Sequence, residues 1–170
     1  MVNQSINFNF FRSAKNTFKK EIDSISKIPL ELDSKNYNKF CQEILSNNGN
    51  LFLMGIGKSG NIAEKICSTL SSTGTPAIYI NAAEASHGDL GMLTKKDLLI
   101  VFSFSGETEE ILKILPSCKK KVKNILSVTG NEKSTLSENS KISITLQIDE
   151  EACPMDLAPT TSSTSMLLLG

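Results

Sequence analysis

The chain has 170 residues, 39% of them apolar and 21% charged, which is enough for one domain with a real core and argues against a second. Lysine plus arginine equals aspartate plus glutamate at 18 each, so no global field recruits nucleic acid or an anionic membrane, and a negative ligand has to be held locally. Cys41, Cys67, Cys118 and Cys153 lie far apart with no C-x-x-C pair and no signal peptide ahead of them, which predicts reduced thiols in the cytoplasm, and the apolar run at Leu98 to Phe102 is far too short to span a bilayer.

In chain order, Phe11, Phe18, Ile22 and Ile25 recur at spacings of seven, four and three, an amphipathic helix that should pack on the domain or on a partner. Asp33 or Ser34 can cap a second helix with the stripe Tyr37, Phe40, Cys41, Ile44 and Leu45, closed by Asn48-Gly49. Four short apolar runs follow, Leu51 to Met54, Ala77 to Ile80, Leu98 to Phe102 and Ile125 to Val128. Separated by helical patterns, they read as parallel strands covered on both faces. Ile142, Ile144, Leu146 and Ile148 alternate with polar residues instead, which predicts a half-exposed edge strand. Between the first two runs, Ile62, Ala63, Ile66, Cys67 and Leu70 make a helical stripe, with Ser59 placed to cap it and Gly74 to end it. A further helix is expected through Ile111, Leu112, Ile114 and Leu115 as far as Pro116. The last residues, Ser165-Met-Leu-Leu-Leu-Gly170, begin an apolar helical pattern without a cap, which predicts a natural chain that continues. Together these give a doubly wound α/β fold, a five-stranded and mostly parallel sheet with helices on both faces. Residues 1–48 supply helices that pack on the domain and on a partner subunit, and 49–170 form the ligand-binding domain. Four of the eight phenylalanines, Phe8, Phe10, Phe11 and Phe18, fall in the first eighteen residues and predict a homodimer or homotetramer.

Three strand ends carry the chemistry: Gly55-Ile-Gly-Lys-Ser-Gly60, Glu84-Ala-Ser-His-Gly-Asp-Leu-Gly91 and Ser103-Phe-Ser-Gly-Glu-Thr108. In an open parallel sheet ligands bind beyond the carboxyl ends of the strands, where loops and helix N-termini present N–H groups to an anion. Gly55, Gly57 and Gly60 match G-x-G-x-x-G, but Tyr79-Ile80-Asn81 lacks the acid that would hold a dinucleotide ribose. A P-loop is excluded because Phe52 stands where its first glycine belongs. What remains is a strand–turn–helix junction at Gly57 and Ser59 where backbone can approach an anion beside Lys58, or a plain tight turn with a solvated lysine; spacing alone leaves both open. Ser103, Ser105 and Thr108 surround Gly106 just before a helix, a neutral anion cradle. Glu107 and Glu109 suit a helix-dipole role. Glu110 shares a face with Ile114 and should lean toward the packed side, where desolvation favours a general base. His87, the one histidine, lies between Ser86 and Gly88-Asp89 just past a strand end, a setting that favours function.

These residues resemble a known family. The G-I-G-K-S-G loop, the S-T-G-T-P turn at Ser72 to Pro76, A-E-A-S-H-G-D-L-G, S-F-S-G-E-T-E-E-I and E-A-C-P-M-D-L-A-P-T-T-S-S are similar to the sugar isomerase (SIS) domain of bacterial arabinose 5-phosphate isomerases, from about Leu51 onward. The resemblance implies interconversion of ribulose 5-phosphate and arabinose 5-phosphate, feeding the acidic sugar of lipopolysaccharide or capsule. It implies that Lys58, Glu110 and Glu151 are critical for catalysis, that His87 contacts substrate and that Gly74 and Thr75 line the site. Asn81 stands where relatives often carry a histidine linked to a metal, which argues against a metal here, as do the single histidine and the scattered cysteines, and no cofactor is expected. Relatives also continue into a segment with another active-site histidine and commonly into a pair of CBS domains.

Aldose–ketose isomerisation needs ring opening, removal of a proton beside the carbonyl, its return to the neighbouring carbon, and stabilisation of the enediolate between. Glu110 suits the base, Lys58 the enediolate oxygen, and His87 with Glu151 ring opening and orientation. The expected partner is a small sugar phosphate, with no nucleic acid and no membrane. Two rivals are a non-catalytic sensor of sugar phosphate, against which Lys58, Glu110 and His87 together argue, and a structural protein whose first helix only builds an oligomer.

Overall fold

The computed structural model describes residues 9–170, so Phe8 lies outside the described residues. Its centre is a sheet of β1 (Leu51–Gly55), β2 (Ala77–Asn81), β3 (Leu98–Phe102), β4 (Asn124–Thr129) and β5 (Ile142–Thr145), in the order β2-β1-β3-β4-β5. Every pairing is parallel, for example Leu53 opposite Tyr79 on one side and Ile100 on the other. The helices are α1 (Phe10–Ile25), α2 (Ile28–Glu31), α3 (Ser34–Leu45), α4 (Gly57–Ser72), α5 (Glu109–Lys121), α6 (Thr135–Glu138) and α7 (Thr161–Leu169), and two 3₁₀ turns, Ala85–His87 and Asp89–Met92, lie between β2 and β3.

The alternation of β1 and β3 side chains divides the core into two layers. Leu51, Leu53, Ile100 and Phe102 face α3, α4 and α7 through Phe40, Ala63, Ile66 and Met166. Phe52, Met54, Leu99 and Val101 face α5 and α6 through Ile111, Leu115, Cys118 and Leu136. Below the amino edge, buried Asp97 accepts from the Asn50 N–H at 2.8 Å, the Thr94 N–H at 2.7 Å and the Thr94 hydroxyl at 2.8 Å, tying the turns before β1 and β3 together.

β5 sits at an edge with alternating burial, as its pattern predicts. β2 does not follow its reading as a strand covered on both faces: it is the other edge, and Ile78 is 40% exposed because no helix among the described residues covers that side. α5 also runs past Pro116 to Lys121; the lost N–H and the ring clash are offset by burial of Leu115 and Cys118 on either side of the proline. Two short helices, α2 and α6, have no periodic signature long enough to read. α1 is capped by Asn9 and keeps Phe11, Phe18 and Ile22 at 72%, 70% and 64% exposure, while Lys20 reaches Glu150 at 2.8 Å and Lys27 pairs with Asp149. No helix among the described residues is long and apolar enough to cross a membrane.

Candidate functional site

The chain runs from β1 outward to β2 and then returns to place β3 on the other side of β1, so the sheet has its switch point between β1 and β3. α4 leaves β1 toward one face and α5 leaves β3 toward the other, so their N-termini flank the carboxyl edge at the switch point, the place where such sheets form a ligand crevice.

On the β1 side the three glycines act differently. A Cβ on Gly55 would lie 2.9 Å from the backbone of Gly60, and one on Gly60 would lie 2.7 Å from the Tyr79 hydroxyl, so both are needed for helix α4 to start directly against the strand. Gly57 has φ +57° and nothing within 4 Å of its missing Cβ, a left-handed residue that leaves the backbone open to the crevice. α4 starts at Gly57 after Ile56, with no side-chain cap; Ser59, expected as that cap, is inside the first turn. The Lys58 side chain is exposed and has no hydrogen-bond or ion-pair partner among the described residues.

The Ser103–Thr108 loop on the β3 side is held from within. Ser103 is 2% exposed; its hydroxyl bonds Thr108 Oγ1 at 2.8 Å and accepts from the Gly106 N–H at 3.1 Å, so it supports the cradle from below instead of lining its mouth. The exposed Ser105 accepts from the Glu107 N–H at 3.2 Å. Thr108, the N-cap residue of α5, makes no side-chain cap bond, because its hydroxyl is engaged with Ser103. The first-turn N–H groups of α4 and α5 therefore lack side-chain acceptors, whereas α1, α3 and α6 are capped by Asn9, Asp33 and Ser134. Two bare helix N-termini at one sheet edge, with an unpaired lysine beside them, have the chemistry to accept an anion and make this edge the candidate site.

Glu110 is exposed in the first turn of α5, a correction to its expected lean against the packed side. It stands one turn before buried Ile114 on the same stripe, but there the helix overhangs the carboxyl edge and no layer covers it. Asn81 ends β2 opposite Gly55 and accepts from the Ala83 N–H at 3.0 Å; His87 ends the next 3₁₀ turn and is exposed. Lys58, Ser105, Thr108, Glu110, Asn81 and His87 thus share the carboxyl edge. Gly74 and Thr75 are not brought there. They follow the C-terminus of α4 at the amino end of the sheet, and a 16-residue helix of roughly 24 Å separates them from Gly57 within one chain.

Glu151 serves a third helix end. Its carboxylate accepts from the Thr160 N–H at 2.7 Å, the Thr160 hydroxyl at 3.1 Å, the Ser162 N–H at 3.3 Å and the Ser162 hydroxyl, saturating the start of α7. Burial works against its charge, yet those bonds outweigh it and hold the carboxyl below the ordinary range. Glu21 of α1 reaches the same end and was missed in the sequence. Burial first, then the charge of Glu151, push its carboxyl upward, and its Oε2 is buried without a hydrogen-bond partner. No local spacing rule links residues 21, 151 and 160–162, so only the fold assembles them.

A doubly wound parallel sheet with two uncapped helix N-termini and an unpaired lysine at its switch point defines an α/β domain of the nucleotide- and sugar-binding architecture, with its candidate site at the carboxyl edge. The SIS domain model matches residues 44–170, and the chain belongs to that family. A protein of Escherichia coli CFT073 solved in complex with arabinose 5-phosphate superimposes with a TM-score of 0.88 at 34% identity, over 99% of this chain and 87% of that one. Similar curated proteins include the arabinose 5-phosphate isomerase KdsD of Francisella tularensis, 44% identical over 93% of this chain and 49% of its own length. The protein of that name from Pseudomonas aeruginosa is 40% identical over 99% of this chain and 52% of its own length. The chain therefore spans about half the length of the curated relatives it matches.

Proposed function

We propose that the protein is an arabinose 5-phosphate isomerase, interconverting ribulose 5-phosphate and arabinose 5-phosphate in the cytoplasm for the acidic sugar of lipopolysaccharide or capsule. The observation that carries this reading is the pair of uncapped helix N-termini at the switch point, together with the names of the relatives at 40–44% identity. The phosphate rests on the α5 end against Ser105 and Thr108, with Ser103 beneath, and the sugar extends across the crevice toward Gly57, Ser59, Asn81 and His87. Removal of the C2 proton of the open-chain aldose gives an enediolate; return of a proton to C1, with transfer of a proton from O2 to O1, gives the ketose. Glu110 takes and returns the carbon-bound proton, Lys58 holds the enediolate oxygen, and His87 opens the ring. Glu151, bound to α7, orients that end of the site. No cofactor enters the scheme.

We further propose that residues 1–48 contribute an oligomer contact through the exposed face of α1 and that 49–170 form the sugar-phosphate domain. A homodimer or homotetramer is expected by light scattering at micromolar concentration. A coupled assay on the complete protein with ribulose 5-phosphate decides the main point: turnover supports the isomerase, whereas binding without turnover establishes the sensor.

A further inference from the structure

We propose that Glu107 is a positioning residue for the anion cradle, acting through the N-terminus of α6; the inference rests on the sugar-phosphate reading above and adds what holds that site in shape. The cradle loop lies on the β4–α6 loop along a backbone seam: the Ser103 N–H donates to the Val128 carbonyl at 3.1 Å, the Gly130 N–H to the Phe104 carbonyl at 2.7 Å and the Leu136 N–H to the Gly106 carbonyl at 3.1 Å. The two loops fit with no side chain to spare. A Cβ on Gly106 would fall 2.1 Å from Ser134 Oγ, and one on Gly130 2.5 Å from the Phe104 ring.

Among the described residues one side chain crosses this seam by a hydrogen bond, Glu107, whose Oε1 accepts from the Thr135 N–H at 2.6 Å. A first-turn acid here was expected to complement α5. It turns instead to α6, whose Ser134 cap already serves the Ser137 N–H. Glu107 sits between Gly106, a left-handed residue at φ +67°, and Thr108, the N-cap of α5. Fixing it fixes the backbone that aims the uncapped N–H groups of α5. Without the tie, no side chain anchors the loop to α6, and that aim rests on the backbone seam and on the loop's own bonds, Thr108 to Ser103 and the Glu107 N–H to Ser105, beside a left-handed glycine.

The geometry sets the test. Glu107→Ala removes the acceptor and is expected to weaken arabinose 5-phosphate about tenfold, measured as Kd by calorimetry and as KM, with kcat changed by less than about threefold. Glu107→Gln keeps an acceptor for Thr135 and removes a negative charge near the phosphate, so it binds at least as tightly as the unmodified protein. Thr135→Pro deletes the donor at the first helical position, where proline is tolerated, and Ser134 at φ −71° and ψ 153° already has the backbone that precedes a proline. It should reproduce Glu107→Ala, and the double variant should be no worse than either single change. Unchanged affinity in Glu107→Ala, a Glu107→Gln protein as weak as Glu107→Ala, or additive losses in the double variant would overturn the proposal while leaving the function intact. If Glu107→Ala does not fold, Thr135→Pro and Glu107→Gln decide by the same criteria. Unmodified protein that binds neither arabinose 5-phosphate nor inorganic phosphate overturns the functional reading and this inference with it.

Discussion

The N-terminus of α7 and those of α4 and α5 meet the same physical problem in opposite ways. At α7, Glu151 supplies a carboxylate to two N–H groups and two hydroxyls, and Glu21 crowds in beside it. At α4 and α5 no side chain caps the first turn, although Ser59 and Thr108 are close enough in sequence to do so. A helix end left without an internal acceptor forgoes roughly 1 kcal/mol of capping stability, and two of them flanking one crevice are accounted for if a ligand supplies the missing negative charge. On the proposed function, satisfied ends hold the fold together and unsatisfied ends are left for the substrate.

The largest effect expected from this contrast is on turnover. Glu110→Gln keeps shape and hydrogen bonding but cannot accept the proton, so kcat of the complete protein should fall at least about a hundredfold with little change in KM. A rate near that of the unmodified protein would move the base to His87 or Glu151.

Next in size is Gly106→Ala. The added methyl would meet Ser134 Oγ at 2.1 Å while φ stays at +67°, so the seam under the cradle must open. Overpacking and left-handed strain together are expected to cost about 2–4 kcal/mol and to abolish sugar-phosphate binding. Gly57→Ala, with open space around it, should cost only about 1 kcal/mol. Equal losses in chemical denaturation at the two glycines would contradict the distinction drawn between them.

The smallest effects concern the saturated end. Glu151→Ala should lower stability by about 1–2 kcal/mol, as loss of a cap does. Because the folded-state carboxyl of Glu151 titrates below its ordinary value, its contribution is complete above the unfolded range near pH 4.5 and is lost as pH falls through the lower folded value. Asp97 is depressed in the same direction: desolvation opposes its charge, but bonds from Asn50 and Thr94 prevail, and it reinforces that acid loss. Glu21 has the opposite sign. Burial and the neighbouring Glu151 raise its carboxyl, so its ionised form weakens the fold at neutral pH, and Glu21→Gln should raise Tm by about 1–3 °C. A thermal melt that drops for Glu21→Gln would show that its carboxylate is paired in solution.

The sheet was legible in the sequence because each strand carries a local signal, and the place of the three candidate loops at the carboxyl edge was legible because glycine, hydroxyl and charged residues follow those strands directly. What could not be read was set by distant neighbours. Pro116 looked like a stop, yet tertiary burial of Cys118 carries α5 beyond it. Glu110 shows the limit of a helical stripe, since periodicity gives the face but not whether the sheet still extends beneath it. The bonds of Glu107 to Thr135 and of Glu151 to Thr160 and Ser162 could not be read either, because they depend on loops that no spacing connects.

The central claim is that the bare end of α5 holds the phosphate, and a crystal structure with arabinose 5-phosphate bound tests it most directly. The account predicts the phosphate within hydrogen-bond distance of the first-turn N–H groups of α5 and of the Ser105 and Thr108 hydroxyls, with the sugar directed toward Lys58. A phosphate seated elsewhere, with the α5 end left to solvent, would contradict it.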